Sequence, residues 1–129
     1  MFRHLLFVFI TVITFTSCRL DNNNECFSIS PAGISTIDGP STATVNQPVS
    51  INMTFMVGNG CGSYYSTENF SEGDTTEVLV KVKFQGCMCT QQVMTLQQTY
   101  TFTPTVPGPH YFKYFVSDGN YLRDTIWVQ

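Results

Sequence analysis

Short runs of alternating apolar and polar residues recur along the chain, separated by Gly, Pro, Asn and Asp. Alternation with a period of two is typical of strands that bury one face. No stretch after Phe27 carries apolar residues at helical spacing. The pattern therefore predicts an all-β domain, an antiparallel β-sandwich of about seven strands, with a small barrel as the alternative. The runs lie at residues 49–55, 78–84, 96–102, 112–116 and 125–128, with edge-strand candidates at 27–29 and 34–45.

One segment interrupts this pattern. Residues 58–76, GNGCGSYYSTENFSEGDTT, are polar and Gly-rich and do not alternate. They predict a long loop, and loops of this length are usually functional or mobile. Its aromatic residues Tyr64, Tyr65 and Phe70 are candidate partner contacts, because aromatic side chains are favoured at interfaces and stack on sugar rings. The alternative is that they fold back as a lid over the sandwich edge.

The N-terminal residues have the composition of an export signal. Residues 1–17 carry Arg3 and His4 near their start and continue with an apolar run that is too short to span a bilayer. Thr16 and Ser17 then precede Cys18, an arrangement that resembles the lipobox of Bacteroidota lipoproteins, with Phe15 in place of the usual Leu. The resemblance implies lipidation at Cys18. An ordinary signal peptide followed by a coincidental cysteine is the alternative.

The resemblance to a lipobox implies that the chain has three parts. Residues 1–17 are the expected lipoprotein signal peptide, residues 18–25 a flexible polar tether, and residues 26–129 the β-sandwich domain. A lipid-anchored protein of this kind resides in the cell envelope. We expect it at the outer membrane, on the periplasmic face or the cell surface, in contact with the membrane through the lipid.

Two segments resemble bacterial immunoglobulin-like and PKD-like domains. The run PGPHYFKYFVSDGNYLRDTIWV (107–128) is similar to their last hairpin, and STATVNQPVSINMTF (41–55) is similar to their second-strand region. The resemblance implies an antiparallel immunoglobulin-like sandwich and places His110 where those domains have an inward-facing Tyr. It implies no particular activity, since such folds carry many functions.

Composition and charge narrow the function classes. Charged residues make up 12% of the 129 residues and aromatic residues 14%, so the chain has enough apolar surface to fold. The formal net charge is −3, and the six Lys and Arg residues are scattered. A nucleic-acid partner is therefore not expected.

Four cysteines follow Cys18, an even number in a chain that is expected to be exported: Cys26, Cys61, Cys87 and Cys89. Thiols outside the cytoplasm oxidise, so two disulfides are expected. A bond between Cys87 and Cys89 would close a strained ring. We therefore expect Cys61 to bond to one of these two and Cys26 to the other. The alternative is a metal- or redox-active site at the Cys87/Cys89 pair.

The residues needed for catalysis are sparse. His110 is the only histidine after residue 17, and the nearby carboxylates (Glu68, Glu72, Asp74 and Glu77) lie in or beside the predicted loop. Acids on such a loop indicate a solvated surface or a weak calcium site. We expect no enzyme activity and no cofactor. The sequence thus predicts a lipid-anchored binding or structural module that meets a protein or glycan partner through residues 58–76.

Overall fold

The computed structural model describes residues 26–129, and these residues form nine strands. The expected signal peptide, the lipidation site Cys18 and the tether lie outside the described residues. No helix within residues 26–129 is both long and apolar enough to cross a membrane. The strands are β1 (Phe27–Ala32), β2 (Ile34–Asp38), β3 (Thr42–Ala43), β4 (Val49–Val57), β5 (Gly62–Glu72), β6 (Thr75–Gln85), β7 (Met94–Phe102), β8 (Gly108–Ser117) and β9 (Asn120–Val128).

The strands form two sheets that pack as a β-sandwich. The smaller sheet has the order β2-β4-β7, and the larger sheet has the order β1-β6-β8-β9-β3, with β5 also paired to β6. Strand β5 occupies one whole edge of β6. Strands β1 and β8 share the other edge, β1 along residues 80–85 of β6 and β8 along residues 75–78.

The larger sheet is mixed, and the expectation of a purely antiparallel immunoglobulin-like sandwich is wrong in this respect. Strand β6 pairs with β8 in parallel, and so does β3 with β9. The chain leaves β6, forms β7 in the other sheet and then returns to the larger sheet. This crossover allows β8 to run in the same direction as β6, which a direct hairpin does not permit.

The core lies between the two sheets and uses the alternation seen in the sequence. In β4 every second residue is buried, from Val49 to Val57, and in β6 Val78, Val80 and Val82 are buried. Burial of these side chains is the main stabilising contribution to the fold. The remaining buried core residues are Ala32, Ile34, Phe112, Tyr114, Ile126 and Val128.

Gly33 allows the chain to change sheets between β1 and β2. A Cβ atom at this position would collide with the backbone carbonyl oxygen of Val116. A side chain is therefore excluded where the chain passes from the larger sheet to the smaller one. The absence of a side chain thus permits the close approach of the β1–β2 connection to β8.

Strand β5 corrects the prediction of a long loop at residues 58–76. Residues 62–72 are a strand hydrogen-bonded to β6 along its whole length. After Tyr64, the inward-facing positions of β5 are polar, among them Asn69 and Ser71. No hydrophobic alternation therefore marks this strand in the sequence. A bulge between Tyr64 and Ser66 also shifts the alternation by one residue.

Candidate binding surface on the larger sheet

The three aromatic residues predicted to contact a partner point to different sides of β5. Tyr64 faces inward, packs against the core and lies with its ring centroid 6.4 Å from that of Phe55. Its hydroxyl is 3.1 Å from the Thr67 hydroxyl. Tyr65 lies in the bulge and is exposed, and Phe70 is exposed opposite Glu77. The structure therefore separates Tyr64 from the other two, and only Tyr65 and Phe70 are available to a partner.

The basic residues between 26 and 129 all lie on one face. Lys81 and Lys83 alternate with the buried valines of β6, and Lys113 lies between the buried residues Phe112 and Tyr114 of β8. Arg123 of β9 is the direct neighbour of Lys113. All four side chains therefore point away from the core, on the surface that we call the outer face of the larger sheet.

The registers of four strands align Phe70 with three charged residues across this face. Phe70 of β5 is opposite Glu77 of β6, which is opposite Lys113 of β8, which is opposite Arg123 of β9. Neighbouring strands are about 4.8 Å apart, so this row spans roughly 14 Å. The row lines a shallow cavity of about 270 Å³ together with Glu72 and Thr75.

Ion pairs fix part of this surface. The Lys113 Nζ is 2.8 Å from Glu77 Oε2 and 5.0 Å from the centroid of the Tyr121 ring. The hydrogen bond to Glu77 raises the pKa of Lys113 above its ordinary value, so the ammonium stays charged further into the alkaline range. Lys81 Nζ is 2.7 Å from Glu68 Oε1. Among the residues that the structure describes, Lys83 and Arg123 have no ion pair with an acidic side chain.

Two further exposed aromatic residues, Tyr111 and Trp127, lie on the same face. Tyr111 is opposite Thr125, and Trp127 is opposite Pro109, so the two rings are diagonal neighbours on β8 and β9. Sequence reasoning did not select them as contacts. The signal was present, because each alternates with residues that the pattern assigns to the core: Tyr111 precedes Phe112, and Trp127 lies between Ile126 and Val128.

The outer face of the smaller sheet has a different composition. Strands β2, β4 and β7 contain one charged residue, Asp38. Their outward positions are mostly Ser, Thr, Asn and Gln, and Met56 is the large apolar side chain exposed there. The aromatic and basic surface is thus confined to one side of the sandwich.

The cysteines form two disulfides at one end of the sandwich. Cys26 is bonded to Cys87, and Cys61 is bonded to Cys89. This is one of the two pairings that the sequence left open. The two bonds indicate an extracytoplasmic protein. Cys87 and Cys89, the pair named for the alternative metal or redox site, thus each form a disulfide with a different partner.

The acidic residues near β5 and His110 do not form a common cluster. Glu68 and Glu77 pair with lysines, and the backbone carbonyl of Asp74 accepts a hydrogen bond from the Tyr111 N–H at 3.2 Å. No group of three or more His, Cys, Asp or Glu residues in the described part of the chain is arranged to hold a metal ion. The His110 ring faces inward, with Nε2 2.9 Å from the Val106 carbonyl oxygen and its centroid 5.4 Å from that of Phe102. The His110 side chain therefore packs inward, beside Phe102 and the β7–β8 connection.

Comparison with known families gives a match to the ORF11 beta-sandwich domain over residues 49–125, more than half of the chain. The chain belongs to this family. The region that matches the ORF11 beta-sandwich domain runs from the first residue of β4 into β9. It contains the row from Phe70 to Arg123, whereas β1 to β3 and Cys26 precede it. Neither the curated proteins nor the solved structures give a match to this ORF11 beta-sandwich chain.

Proposed function

We propose that the protein is a lipid-anchored, non-catalytic module of the cell envelope that binds a partner protein through the outer face of the larger sheet. One observation carries this proposal. The four basic side chains between residues 26 and 129 share a single face with the exposed rings of Phe70, Tyr111 and Trp127. Aromatic residues and arginine are enriched in protein interfaces and dominate their binding energy.

The chemistry of the face supports a partner that presents both apolar and acidic groups. Lys113 and Lys81 are already paired with glutamates, whereas Arg123 and Lys83 are available for carboxylates of a partner. Arg123 adjoins the cavity below Phe70, so an apolar side chain and a carboxylate could be bound side by side. Mixed charges on the rest of the face favour specificity and orientation over high affinity.

The location rests on the N-terminal sequence and the disulfides. Two disulfides are consistent with an oxidising compartment. Lipidation at Cys18 would attach the domain to the outer membrane through a short polar tether. A tethered domain needs only modest affinity for its partner, because the membrane raises the effective concentration of both.

A glycan is the second candidate partner, and one feature favours it. Tyr111 and Trp127 are diagonal neighbours on the outer face of the larger sheet, beside Pro109. Exposed aromatic rings in such an arrangement can stack on successive sugar rings. A glycan would use these two rings, whereas a protein partner would also use the row from Phe70 to Arg123.

Site-specific photo-crosslinking in intact cells tests the proposal. A benzophenone amino acid replaces Phe70 or Trp127, which are each 56% exposed, and the matched control replaces Met56, which is 57% exposed on the opposite face. We expect a larger, protease-sensitive adduct from positions 70 and 127 and none from position 56. An adduct from position 127 alone that glycosidases remove would identify a glycan. Equal adducts from all three positions would contradict the proposed surface.

A further inference from the structure

Strand β7 is an edge strand without the features that usually prevent edge pairing. It pairs with β4 along all nine of its residues, and its other edge meets no strand among residues 26–129. Natural edge strands are usually short, or carry charges, prolines or bulges that block the addition of another strand. Strand β7, with the sequence MTLQQTYTF, has no charged residue, no proline and no register shift against β4.

The inward side chains of β7 are incompletely covered. Alternate residues of β4 are buried, whereas the corresponding residues of β7, such as Leu96 and Tyr100, are only partly buried. A groove of about 510 Å³ lies beside the C-terminal half of β7. It is lined by Tyr100 and Phe102 of β7, by Asn69 and Ser71 of β5, and by residues 103–107 of the β7–β8 connection. The smaller sheet therefore leaves the inward side of β5 uncovered at Asn69 and Ser71.

The sequence of β7 is self-complementary when it is paired with itself in antiparallel orientation. A two-fold axis at Gln98 places Met94 opposite Phe102, and Leu96 opposite Tyr100, on the inward side. On the outward side it places Thr95 opposite Thr101, and Gln97 opposite Thr99. Apolar residues thus meet apolar residues, polar residues meet polar residues, and no like charges are opposed. Aliphatic–aromatic and Thr–Thr cross-strand pairs are the kind that stabilise a sheet.

We propose that β7 pairs with β7 of a second copy of this chain, so that two smaller sheets join into one continuous six-stranded sheet. Such an isologous interface follows two-fold symmetry, the commonest symmetry of protein oligomers. The partner subunit's Met94 and Leu96 then enter the groove beside Phe102 and Tyr100. The backbone of the partner strand forms hydrogen bonds with the N–H and C=O groups on the open edge of β7. The interface is separate from the outer face of the larger sheet, so the proposal does not rest on the proposed function.

Charge variants at the two-fold axis test this interface. Gln98→Lys and Gln98→Glu each place two like charges opposite each other, so we expect the full chain in density-matched detergent to sediment as a dimer in the wild type and as a monomer in either variant. An equimolar mixture of the two variants should regain the dimer mass, because Lys then faces Glu. A wild-type monomer, or a Gln98→Lys chain that remains dimeric, would overturn the proposal.

Cysteine cross-linking of the full chain gives an independent measurement. Gln98→Cys places one thiol next to its symmetry mate, and mild oxidation should yield a covalent dimer of the full chain. The matched control is Thr36→Cys, an exposed residue of β2 at the other edge of the same sheet. We expect no covalent dimer from the control. Equal cross-linking at both positions would contradict pairing through β7. An adduct of Gln98→Cys with a different protein, in place of the dimer, would also overturn it.

Discussion

The rings of Tyr64 and Phe55 pack against each other between the two sheets, with centroids 6.4 Å apart and planes inclined at 48°. This contact joins β5 to β4, so Tyr64 is partly buried against the core, although its neighbour Tyr65 is exposed. The bulge at Tyr65 is the reason that two consecutive tyrosines have such different surroundings.

Tyr64→Ala and Tyr65→Ala should therefore differ in stability. We expect Tyr64→Ala to lower the free energy of unfolding by about 2–4 kcal/mol, because it removes a large side chain that is packed against the core. Tyr65→Ala should change it by less than about 0.5 kcal/mol, as for other exposed positions. Urea denaturation of both variants measures the difference. Similar values for the two would show that Tyr64 is not packed as described.

Gly33→Ala should destabilise the domain, because the new Cβ would collide with the Val116 carbonyl oxygen. We expect a loss of about 1–3 kcal/mol, typical of overpacking. Gly58→Ala is the matched control, since a Cβ atom at Gly58 meets nothing within 4 Å. Thermal denaturation monitored by circular dichroism compares the two variants. A Gly33→Ala protein as stable as Gly58→Ala would contradict the close approach of β1–β2 to β8.

The two disulfides should contribute comparably to stability. The Cys26–Cys87 bond spans 61 residues and the Cys61–Cys89 bond spans 28. Loop-closure entropy gives about 4 kcal/mol for the first and about 3.5 kcal/mol for the second. The double variants Cys26→Ser/Cys87→Ser and Cys61→Ser/Cys89→Ser measure each bond by urea denaturation. Non-reducing peptide mapping of the unmodified protein checks the pairing, and a peptide that links Cys26 to Cys89 would refute it.

Tyr114→Phe should remove part of the sensitivity of the fold to alkaline pH. Tyr114 is buried, and its hydroxyl has no hydrogen-bond partner. Burial raises the pKa of Tyr114, and the charges of Asp124 and Tyr100 raise it further. The folded protein therefore keeps the phenol protonated above pH ~10, where the unfolded chain ionises, so stability falls as the pH rises above that value.

Unfolding free energies at pH 7 and between pH 10 and pH 11 test this expectation. Tyr114→Phe should be as stable as the wild type at pH 7, or up to about 1 kcal/mol more stable, because it removes an unsatisfied hydroxyl. Its loss of stability above pH ~10 should be shallower. The control Tyr64→Phe loses the contact with Thr67 and should cost about 1 kcal/mol. An unchanged alkaline slope in Tyr114→Phe would contradict the assignment.

The sequence predicts the strands in which every second residue is buried in the core. Residues 49–55 and 78–84 alternate clearly, and the structure extends them to β4 and β6. Strand β5 could not be recognised, because its inward residues Asn69 and Ser71 are polar where the smaller sheet does not cover them. The parallel pairing of β6 with β8 depends on a long-range crossover that local alternation does not encode.

The candidate surface was only partly predictable. Phe70 is predicted as a contact because aromatic side chains are favoured at interfaces, and it lies on the outer face of the larger sheet. Tyr111 lies just before the predicted run at 112–116 and Trp127 lies within the run at 125–128, but these runs alone do not indicate that the two rings share a face. The outer face as a unit depends on the register of four strands, which brings residues as far apart in sequence as Phe70 and Arg123 into one row.

The Cys26–Cys87 bond also determines how mechanical load would enter the domain. Strand β1 begins directly after Cys26, and Cys87 lies two residues beyond the end of β6. A pull on the residues before Cys26 is thus transmitted covalently to β6, and β1 is not peeled from its neighbour. Strand β6 is held along its length by β1, β5 and β8, so its hydrogen bonds would be loaded together in shear. A domain held at its N-terminus while a partner pulls on the outer face would resist extension through this central strand.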